Sequence, residues 1–402
     1  MEASIILVGT ELLNGMTVDT NSVYMAEELN KYGLEIVYKS TVRDNIEEIR
    51  EAIEFAKKRT KLVILSGGLG PTMDDLTKEA VAGYLGLDLV VDPEEYRELE
   101  RKFEERGIKL LPNNKKEVEK PVGAVSFKND VGMAPAIYID GIAAFPGVPR
   151  ELYNMFPKFL EYYVKEEGID DEMVIRDLLV WGIPESHLDD TLKDIFVEED
   201  IHYEFLVKDY GIIVRLQSRN GMAHKIEGAA QEIYRRIGKN IFGEGHERLE
   251  TRVTEELIRK DYTISLAESC TGGAVAAKLI DVPGVSQVLT EGIVCYSNEA
   301  KVERLGVSQA TLDRYGAVSE ETAREMLAGL TTDVGIATTG IAGPGGGSLE
   351  KPVGTVYIGI KVRDEVYIKR YNFKGSRERV RKLTVMNALF KLLKILDTRG
   401  NI

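Results

Sequence analysis

Short apolar runs alternate with amphipathic, helix-length segments along most of the chain. In the first third, residues 4–8, 34–42 and 61–65 have the length and apolar composition of buried strands. Between them, residues 21–32 and 46–58 repeat apolar side chains at helical spacing. Strands that alternate with helices predict a mostly parallel sheet covered by helices on both faces.

The same pattern separates two further regions. Residues 173–181 predict a strand, and the segment that follows, up to the helix predicted at 223–237, has the make-up of a small α+β module. The last region contains three buried strands and a terminal antiparallel pair, as expected for a three-layer α/β domain. Residues 93–118, between the first strands and this module, predict a charged, solvent-exposed helical segment that lies over the sheet. We therefore predict three domains with these bounds: 1–168, 169–248 and 249–402.

Carboxylates and a glycine-rich loop follow the predicted strands of the first domain. In parallel sheets, ligands bind beyond the carboxyl ends of the strands. Carboxylates next to such a loop would suit a divalent cation together with a phosphate group. Helix capping by Asp74 and Asp75 is the alternative interpretation. The candidate metal ligands are Glu11, Asp44, Asp74 and Asp75, and the candidate phosphate-binding residues are Gly67, Gly68, Gly70 and Thr72.

The turn Ala-Glu-Ser-Cys-Thr-Gly-Gly at 267–273 is the strongest candidate for chemistry in the last domain. It places Ser269 where a buried strand ends and the helix predicted at 274–280 begins. The first N–H groups of that helix are expected to point at a phosphate or an oxyanion above Ser269. A hydroxyl beside such donors suits acyl transfer. The other interpretation is a Ser/Thr helix cap with glycines for close packing.

Charge and cysteine content narrow the class of protein. The net charge of −14 is distributed as −9, −8 and +3 over residues 1–168, 169–250 and 251–402. An acidic surface disfavours direct binding of nucleic acid. Cys270 and Cys295 are the only cysteines, so we expect no disulfide framework. No membrane span or signal peptide is evident, and we expect a cytoplasmic protein.

Five motifs in the last domain carry a resemblance to a known family. They are Ala-Glu-Ser-Cys-Thr-Gly-Gly at 267–273, Tyr-Ser-Asn-Glu-Ala-Lys at 296–301, Gly-Ala-Val-Ser at 316–319, Thr-Gly-Ile-Ala-Gly-Pro-Gly-Gly at 339–346 and Lys-Pro-Val-Gly-Thr-Val at 351–356. Together they resemble the nicotinamide mononucleotide (NMN) deamidase domain of the CinA family, the competence/damage-inducible proteins. The loops at 9–13 and 66–77 resemble the molybdopterin-binding-like, doubly wound domain of the same family.

The resemblance implies two hydrolytic activities. One is deamidation of NMN to nicotinate mononucleotide and ammonia by the C-terminal domain, which needs no cofactor. The other is hydrolysis of ADP-ribose to AMP and ribose 5-phosphate by the N-terminal domain, with Mg, Mn or Co as the divalent metal. The middle module is similar to a KH domain, but no Gly-x-x-Gly loop with basic flanks occurs there. We therefore interpret it as a spacer or dimerisation element and expect a homodimer.

The residue types assign roles for amide hydrolysis. All four histidines precede residue 250, so a Ser–His pair within the C-terminal domain is impossible, and Lys301 is the remaining candidate base for Ser269. Cys270 is the rival nucleophile. Thr339 could relay a proton or hold the carboxamide, and Tyr296 could stack on the pyridine ring. Arg377 or Arg379 could hold the phosphate. The remaining candidate substrate-binding residues are Cys270, Thr271, Gly272, Gly273 and Gly340.

A second class of function stays open from the sequence. In it, the first domain holds a molybdopterin or a nucleotide without turnover, and the protein acts in competence or DNA damage through a protein partner. Release of ammonia from NMN distinguishes the two classes.

Overall fold

The structure, a computed structural model, describes residues 1–169, 173–199, 201–219 and 222–398. Main-chain contacts divide the chain into two compact units. The first comprises Met1–Ile175 with Ser218–Ala223, and the second comprises Arg176–Gln217 with His224–Ile402. No helix in the described ranges is long and apolar enough to cross a membrane.

The first unit is built on a mixed six-stranded sheet. Its strands include β1 (Glu2–Val8), β2 (Glu35–Val42), β3 (Leu62–Ser66), β6 (Val125–Phe127), β7 (Ala136–Ile139) and β8 (Ile142–Phe145), with β4 (Leu89–Val91) and β5 (Glu119–Pro121) forming a separate pair. The strand order is β2-β1-β3-β8-β7-β6. The first four strands in this order are parallel, whereas the pairings of β8 with β7 and of β7 with β6 are antiparallel. The predicted doubly wound, mostly parallel sheet is therefore confirmed.

Helices cover both faces of this sheet. They are α1 (Thr10–Leu13), α2 (Asn21–Asn30), α3 (Ile46–Lys57), α4 (Thr77–Leu85), α5 (Pro93–Glu105) and α6 (Pro149–Glu166). The side chain of Asn45 accepts hydrogen bonds from the first turn of α3, which fixes where that helix begins. The charged helical segment predicted over 93–118 consists of two separate helical elements. Helix α5 stops before Gly107, which takes a left-handed conformation, and Pro112 begins a separate 3₁₀ helix.

The second unit contains most of the KH-like module and the C-terminal domain. The module consists of β9 (Met173–Val180), α7 (Glu185–Glu199), β10 (His202–Lys208), β11 (Gly211–Arg219), α8 (Ala223–Ile237) and β12 (Ile241–Glu244). Its sheet has the order β10-β11-β9-β12. The sequence pattern did not predict β12, which pairs antiparallel with β9. Trp181 and Phe242 of the module pack into the same hydrophobic cluster as the C-terminal core.

The C-terminal domain has three layers. Its elements are α9 (Leu249–Lys260), β13 (Ile264–Glu268), α10 (Ala274–Ile280), β14 (Leu289–Val294), α11 (Asn298–Leu305), α12 (Gln309–Tyr315), α13 (Glu320–Ala328), β15 (Val334–Gly340), β16 (Thr355–Val362), β17 (Glu365–Asn372) and α14 (Arg377–Thr398). The sheet order is β14-β13-β15-β16-β17, with the first three strands parallel.

Side-chain alternation along β13 separates the two outer layers. Leu266 packs toward α9, α10 and α14, whereas the next residue, Ala267, packs toward α11, α12 and α13. The carboxyl ends of β14, β13 and β15 therefore meet at one edge of the sheet. The predicted three-layer α/β class is confirmed, and the motifs at 267–273 and 296–301 follow two adjacent parallel strands.

Candidate active site

Ser269 and Lys301 meet at the carboxyl edge of the C-terminal sheet. Ser269 follows β13, and its backbone N–H donates to the carbonyl oxygen of Thr338 on β15 at 2.9 Å. The Lys301 Nζ lies 3.1 Å from the Ser269 Oγ. The lysine is 1% exposed and the serine 8%. The structure thus brings together the predicted nucleophile and the predicted base in a site shielded from water.

Helix α11 carries Lys301, which the sequence placed only at the end of the motif at 296–301. Ser297 caps the helix by accepting a hydrogen bond from the Ala300 N–H at 3.1 Å. The Lys301 Nζ then contacts the carbonyl oxygens of Cys295 at 3.0 Å and Tyr296 at 3.3 Å. Folding the chain back in this way brings an amine into the turn that follows β14.

Burial lowers the pKa of the Lys301 amine from its ordinary value. Coulombic interactions with the side chains of Cys295, Cys270 and Glu299 act in the opposite direction, but desolvation is the larger effect. A lysine that acts as a base near neutral pH requires such a lowered pKa. Burial is the cause in this structure.

Cys270 points away from Lys301 and into the core. Its side chain is 6% exposed and belongs to the hydrophobic cluster formed with α9, α10 and α14. Burial raises the pKa of its thiol to about 12. The next residue, Thr271, is also buried, and its hydroxyl pairs with that of Thr338 at 2.6 Å. The structure therefore places neither Cys270 nor the Thr271 hydroxyl where a substrate would contact it.

Glu268 accepts hydrogen bonds from N–H groups at the start of α10, which were expected to bind the ligand. Its buried carboxylate accepts hydrogen bonds from the N–H groups of Val275 at 3.0 Å and Ala276 at 2.8 Å. The expectation that the start of α10 points its free N–H groups at a ligand is thus wrong for these two donors. Within the described residues, the N–H groups of Cys270, Thr271 and Gly273 in the turn have no hydrogen-bond partner. Among these, the N–H groups of Thr271 and Gly273 are our candidates for binding an oxyanion.

Two glycines give the turn its shape. Gly272 and Gly273 have φ angles of 61° and 90°, in the left-handed region that favours glycine. A Cβ on Gly272 would lie 3.8 Å from the Arg381 guanidinium, an ordinary contact, so its backbone conformation rather than lack of space calls for glycine.

Thr339 and Gly340 lie on β15, and both are occupied by structural contacts. The Thr339 hydroxyl donates to the carbonyl oxygen of Ala317 at 2.6 Å. A Cβ on Gly340 would lie 2.7 Å from a methyl group of Val356 on the neighbouring strand. The structure does not bring the Thr339 hydroxyl into contact with Ser269 or Lys301, and Gly340 is needed for strand packing.

Two arginines of α14 border the site. Arg377 donates from Nη2 to the Tyr296 hydroxyl at 3.0 Å and from Nη1 to the Gly343 carbonyl at 3.0 Å. Arg381, one turn further along, donates to the Thr271 carbonyl at 2.8 Å. Arg381 was not predicted from the sequence, although a residue four positions after Arg377 lies on the same helix face. Tyr296 is 60% exposed and its ring is open to a ligand.

Arg379 lies on another side of α14. Two residues after Arg377 it is rotated by about 200° around the helix axis. It lines a cavity next to the KH-like module, together with Trp181 and Lys382. The structure therefore brings Arg377 to the Ser269 site and does not bring Arg379 there.

In the N-terminal unit, the predicted carboxylates follow the expected strands but pair with nearby threonines. Asp44 Oδ2 accepts hydrogen bonds from the N–H and hydroxyl of Thr10, both at 2.8 Å. Thr72 donates its hydroxyl to Asp74 and its N–H to Asp75, the latter at 2.9 Å. Glu11 is exposed on α1. Within the described residues no group of three or more His, Cys, Asp and Glu side chains is arranged to hold a metal ion, so the predicted set of four metal ligands does not fit a metal as it stands.

The glycines of this loop meet backbone and side-chain neighbours. A Cβ on Gly67 would lie 2.0 Å from the carbonyl oxygen of Val8, and φ is 114° there. A Cβ on Gly68 would lie 2.4 Å from the Thr77 hydroxyl. A Cβ on Gly70 would lie 2.6 Å from a carboxylate oxygen of Asp75. These glycines therefore allow the loop to pack against the strand ends.

Comparison with known protein families covers nearly the whole chain in three parts. Residues 4–166 match the probable molybdopterin binding domain, and residues 175–243 match the damage-inducible protein CinA KH domain. Residues 246–396 match the CinA C-terminal domain, which contains the Ser269–Lys301 pair.

Individual relatives agree with these matches. A CinA-like protein of Fusobacterium nucleatum subsp. nucleatum is 59% identical over 403 residues, covering 99% of this chain and 100% of the relative. A putative competence-damage inducible protein of Clostridium perfringens is 41% identical over 410 residues, covering 99% of each. The solved structure of the competence/damage inducible protein CihA from Agrobacterium tumefaciens is 40% identical, with a TM-score of 0.36, and the match covers 37% of this chain and 93% of that one. The chain belongs to the CinA family of competence/damage-inducible proteins.

Proposed function

We propose that the C-terminal domain is an amide hydrolase that converts NMN to nicotinate mononucleotide and ammonia. The observation that carries this proposal is the buried 3.1 Å contact between the Lys301 Nζ and the Ser269 Oγ. A neutral amine at this distance can remove the hydroxyl proton, as in other serine–lysine hydrolases. Membership in the CinA family is consistent with this activity.

The reaction proceeds in two halves. Ser269 Oγ attacks the carboxamide carbon while Lys301 takes its proton, and the negative oxygen of the tetrahedral intermediate is placed near the N–H groups of Thr271 and Gly273. Lys301 then gives the proton to the departing nitrogen, which leaves as ammonia. A water molecule, deprotonated by Lys301, attacks the acyl-serine, and nicotinate mononucleotide is released as Ser269 recovers its proton.

Substrate orientation rests on residues at the rim. Arg377 carries a guanidinium suited to a phosphate, and it already contacts the hydroxyl of Tyr296. The exposed Tyr296 ring is available to stack on the pyridinium ring, an interaction of cation–π type. Arg381 holds the Thr271 carbonyl and so orients the turn that carries the nucleophile.

Ammonia release by the purified full-length chain tests the function. With NMN, wild type should release one equivalent of ammonia per nicotinate mononucleotide formed, and Ser269→Ala should release none. Failure of the folded wild-type chain to release ammonia would favour the alternative in which the protein binds a molybdopterin or a nucleotide without turnover and acts through a protein partner.

For the N-terminal domain we propose hydrolysis of the pyrophosphate bond of ADP-ribose, with Mg, Mn or Co as the metal. The support is the position of Asp44 and the 67–72 loop at the carboxyl edge of parallel strands. Because the carboxylates alone do not form a metal site, we propose that phosphate oxygens of the substrate complete it. Calorimetry should detect binding of Mn²⁺ with ADP-ribose present and none without it. Equal binding in both cases, or turnover that survives a chelator, would contradict this proposal.

The homodimer stays a proposal, tested by light scattering at micromolar concentration.

A further inference from the structure

A second cavity lies within the second unit, between the KH-like module and helix α14. Its volume is about 620 Å³, within the range of small-molecule sites. The module contributes Trp181 and Lys208, and α14 contributes Arg379, Lys382 and Asn387. This cavity is on a different face of α14 from Arg377 and Arg381, which border the Ser269 site.

The cavity carries unbalanced positive charge. Lys382 pairs with Asp209, which is the one carboxylate among the lining residues. Arg379 and Lys208 have no side-chain hydrogen bond or ion pair to any residue that the structure describes. Elsewhere in this unit Arg236, by contrast, pairs with Asp194. Two unpaired cations facing one concave space favour an anionic occupant.

The remaining lining describes the rest of that occupant. Val207, Pro184 and Leu383 form apolar walls, and the Asn387 side chain adds an amide. The ring of Trp181 lines the cavity, and its buried indole N–H has no hydrogen-bond partner in the described part of the chain. A buried N–H without a partner is costly.

We propose that this cavity binds a phosphorylated small molecule of nucleoside-monophosphate size, with the phosphate held by Arg379 and Lys208. The guanidinium of arginine matches phosphate geometry, and the apolar walls suit the organic part. The acidic charge of residues 169–250, −8 overall, argues against a nucleic-acid strand as the occupant. The ligand would bridge β10 of the module and α14 and hold the two together.

Trp181 is the only tryptophan of the chain, so its fluorescence reports on this cavity directly. Full-length protein is titrated with AMP, ribose 5-phosphate and inorganic phosphate, with adenosine as the uncharged control. We expect a saturable change with at least one organic phosphate, and an increase in Tm that follows the same saturation curve. Arg379→Gln and Lys208→Gln should each weaken binding by about tenfold or more, which corresponds to about 1.4 kcal/mol.

Two matched variants identify the site. Lys391→Gln lies on the same helix, exposed and away from the cavity, and Arg377→Gln alters the proposed amidase site; both should keep the wild-type response. The proposal is overturned by the absence of a saturable change up to about 10 mM, well above a Kd of millimolar order. It is also overturned by equal affinity in the folded Arg379→Gln and Lys208→Gln variants, or by inorganic phosphate alone binding as tightly as the organic phosphates.

Discussion

Ser269 and Cys270 are neighbours in the chain, yet their side chains lie in opposite environments. The Ser269 Oγ lies 3.1 Å from the Lys301 Nζ, whereas the Cys270 thiol is packed in the hydrophobic core with its pKa raised to about 12 by burial. A thiol with that pKa is almost entirely protonated at neutral pH and is therefore a poor nucleophile. This difference favours Ser269 over Cys270 as the proposed nucleophile.

Substitution of each residue in turn should separate their roles. Ser269→Ala and Lys301→Ala should each lower kcat for NMN by at least about 10³-fold, because nucleophile and base act as a unit. Cys270→Ala should keep most of the activity and lose about 1–2 kcal/mol of unfolding free energy through the cavity it leaves. Steady-state ammonia release and thermal melting measure these effects. An inactive but folded Cys270→Ala variant beside an active Ser269→Ala variant would reverse the assignment.

The rate should increase with pH through the lowered pKa of Lys301. Below that pKa the amine is protonated and cannot accept the Ser269 proton; above it the neutral base is available. Because the pKa is lower in the folded than in the unfolded protein, the buried amine also costs stability at pH values below about 10.4. The pH profile of kcat/KM is the measurement. Lys301→Arg, which stays charged, should be inactive throughout, and a rate that instead falls as pH rises would exclude a neutral lysine base.

The two arginines on one face of α14 should affect different kinetic constants. Arg377→Gln should raise KM for NMN by about tenfold, since it removes one charged phosphate contact. Arg381→Gln should mainly lower kcat, because its contact with the Thr271 carbonyl orients the turn rather than the substrate. Lys391→Gln on the same helix serves as the control. Equal changes in KM for both variants would contradict the division of roles.

Glu268 should contribute to stability through its two hydrogen bonds to the start of α10. Glu268→Gln keeps the shape but weakens the charge-assisted bonds, and Glu268→Ala removes them and leaves buried donors without partners. We expect losses of about 1 and about 3 kcal/mol respectively in urea denaturation. Glu299→Gln, an exposed carboxylate at the first turn of α11, is a suitable control. Unchanged stability in Glu268→Ala would show that these bonds contribute little.

Sequence patterns predicted what depends on local periodicity and strand order. Ser269 and Lys301 follow adjacent parallel strands, and topology alone brings such positions together. The sequence offered Arg377 and Arg379 as alternatives for the phosphate, whereas helical spacing places Arg381, four residues after Arg377, on the face that borders the site. The pattern could not show that Glu268 turns back to bind the N–H groups of α10, because that contact depends on the conformation of the glycines between them.

The predicted metal ligands do not form a cluster among the described residues, and the reason is similar. Strand ends place Asp44 and the 67–75 loop at one edge of the sheet, as predicted. The distance between carboxylates depends on loop conformation, and here Thr10 and Thr72 satisfy the hydrogen bonding of Asp44, Asp74 and Asp75. Position along the chain predicts the edge on which a residue lies, whereas the partners of its side chain follow from tertiary structure.

The most direct test of the central claim is to trap the acyl-enzyme. Full-length protein is mixed with NMN, quenched in acid at early times, digested and examined by peptide mass spectrometry. A transient adduct with the mass of the NMN acyl group should occur on the peptide that contains Ser269, and fragmentation should assign it to that residue. The adduct should be absent from Ser269→Ala and present in Cys270→Ala. An adduct on Cys270, or full ammonia release by folded Ser269→Ala, would contradict a serine nucleophile.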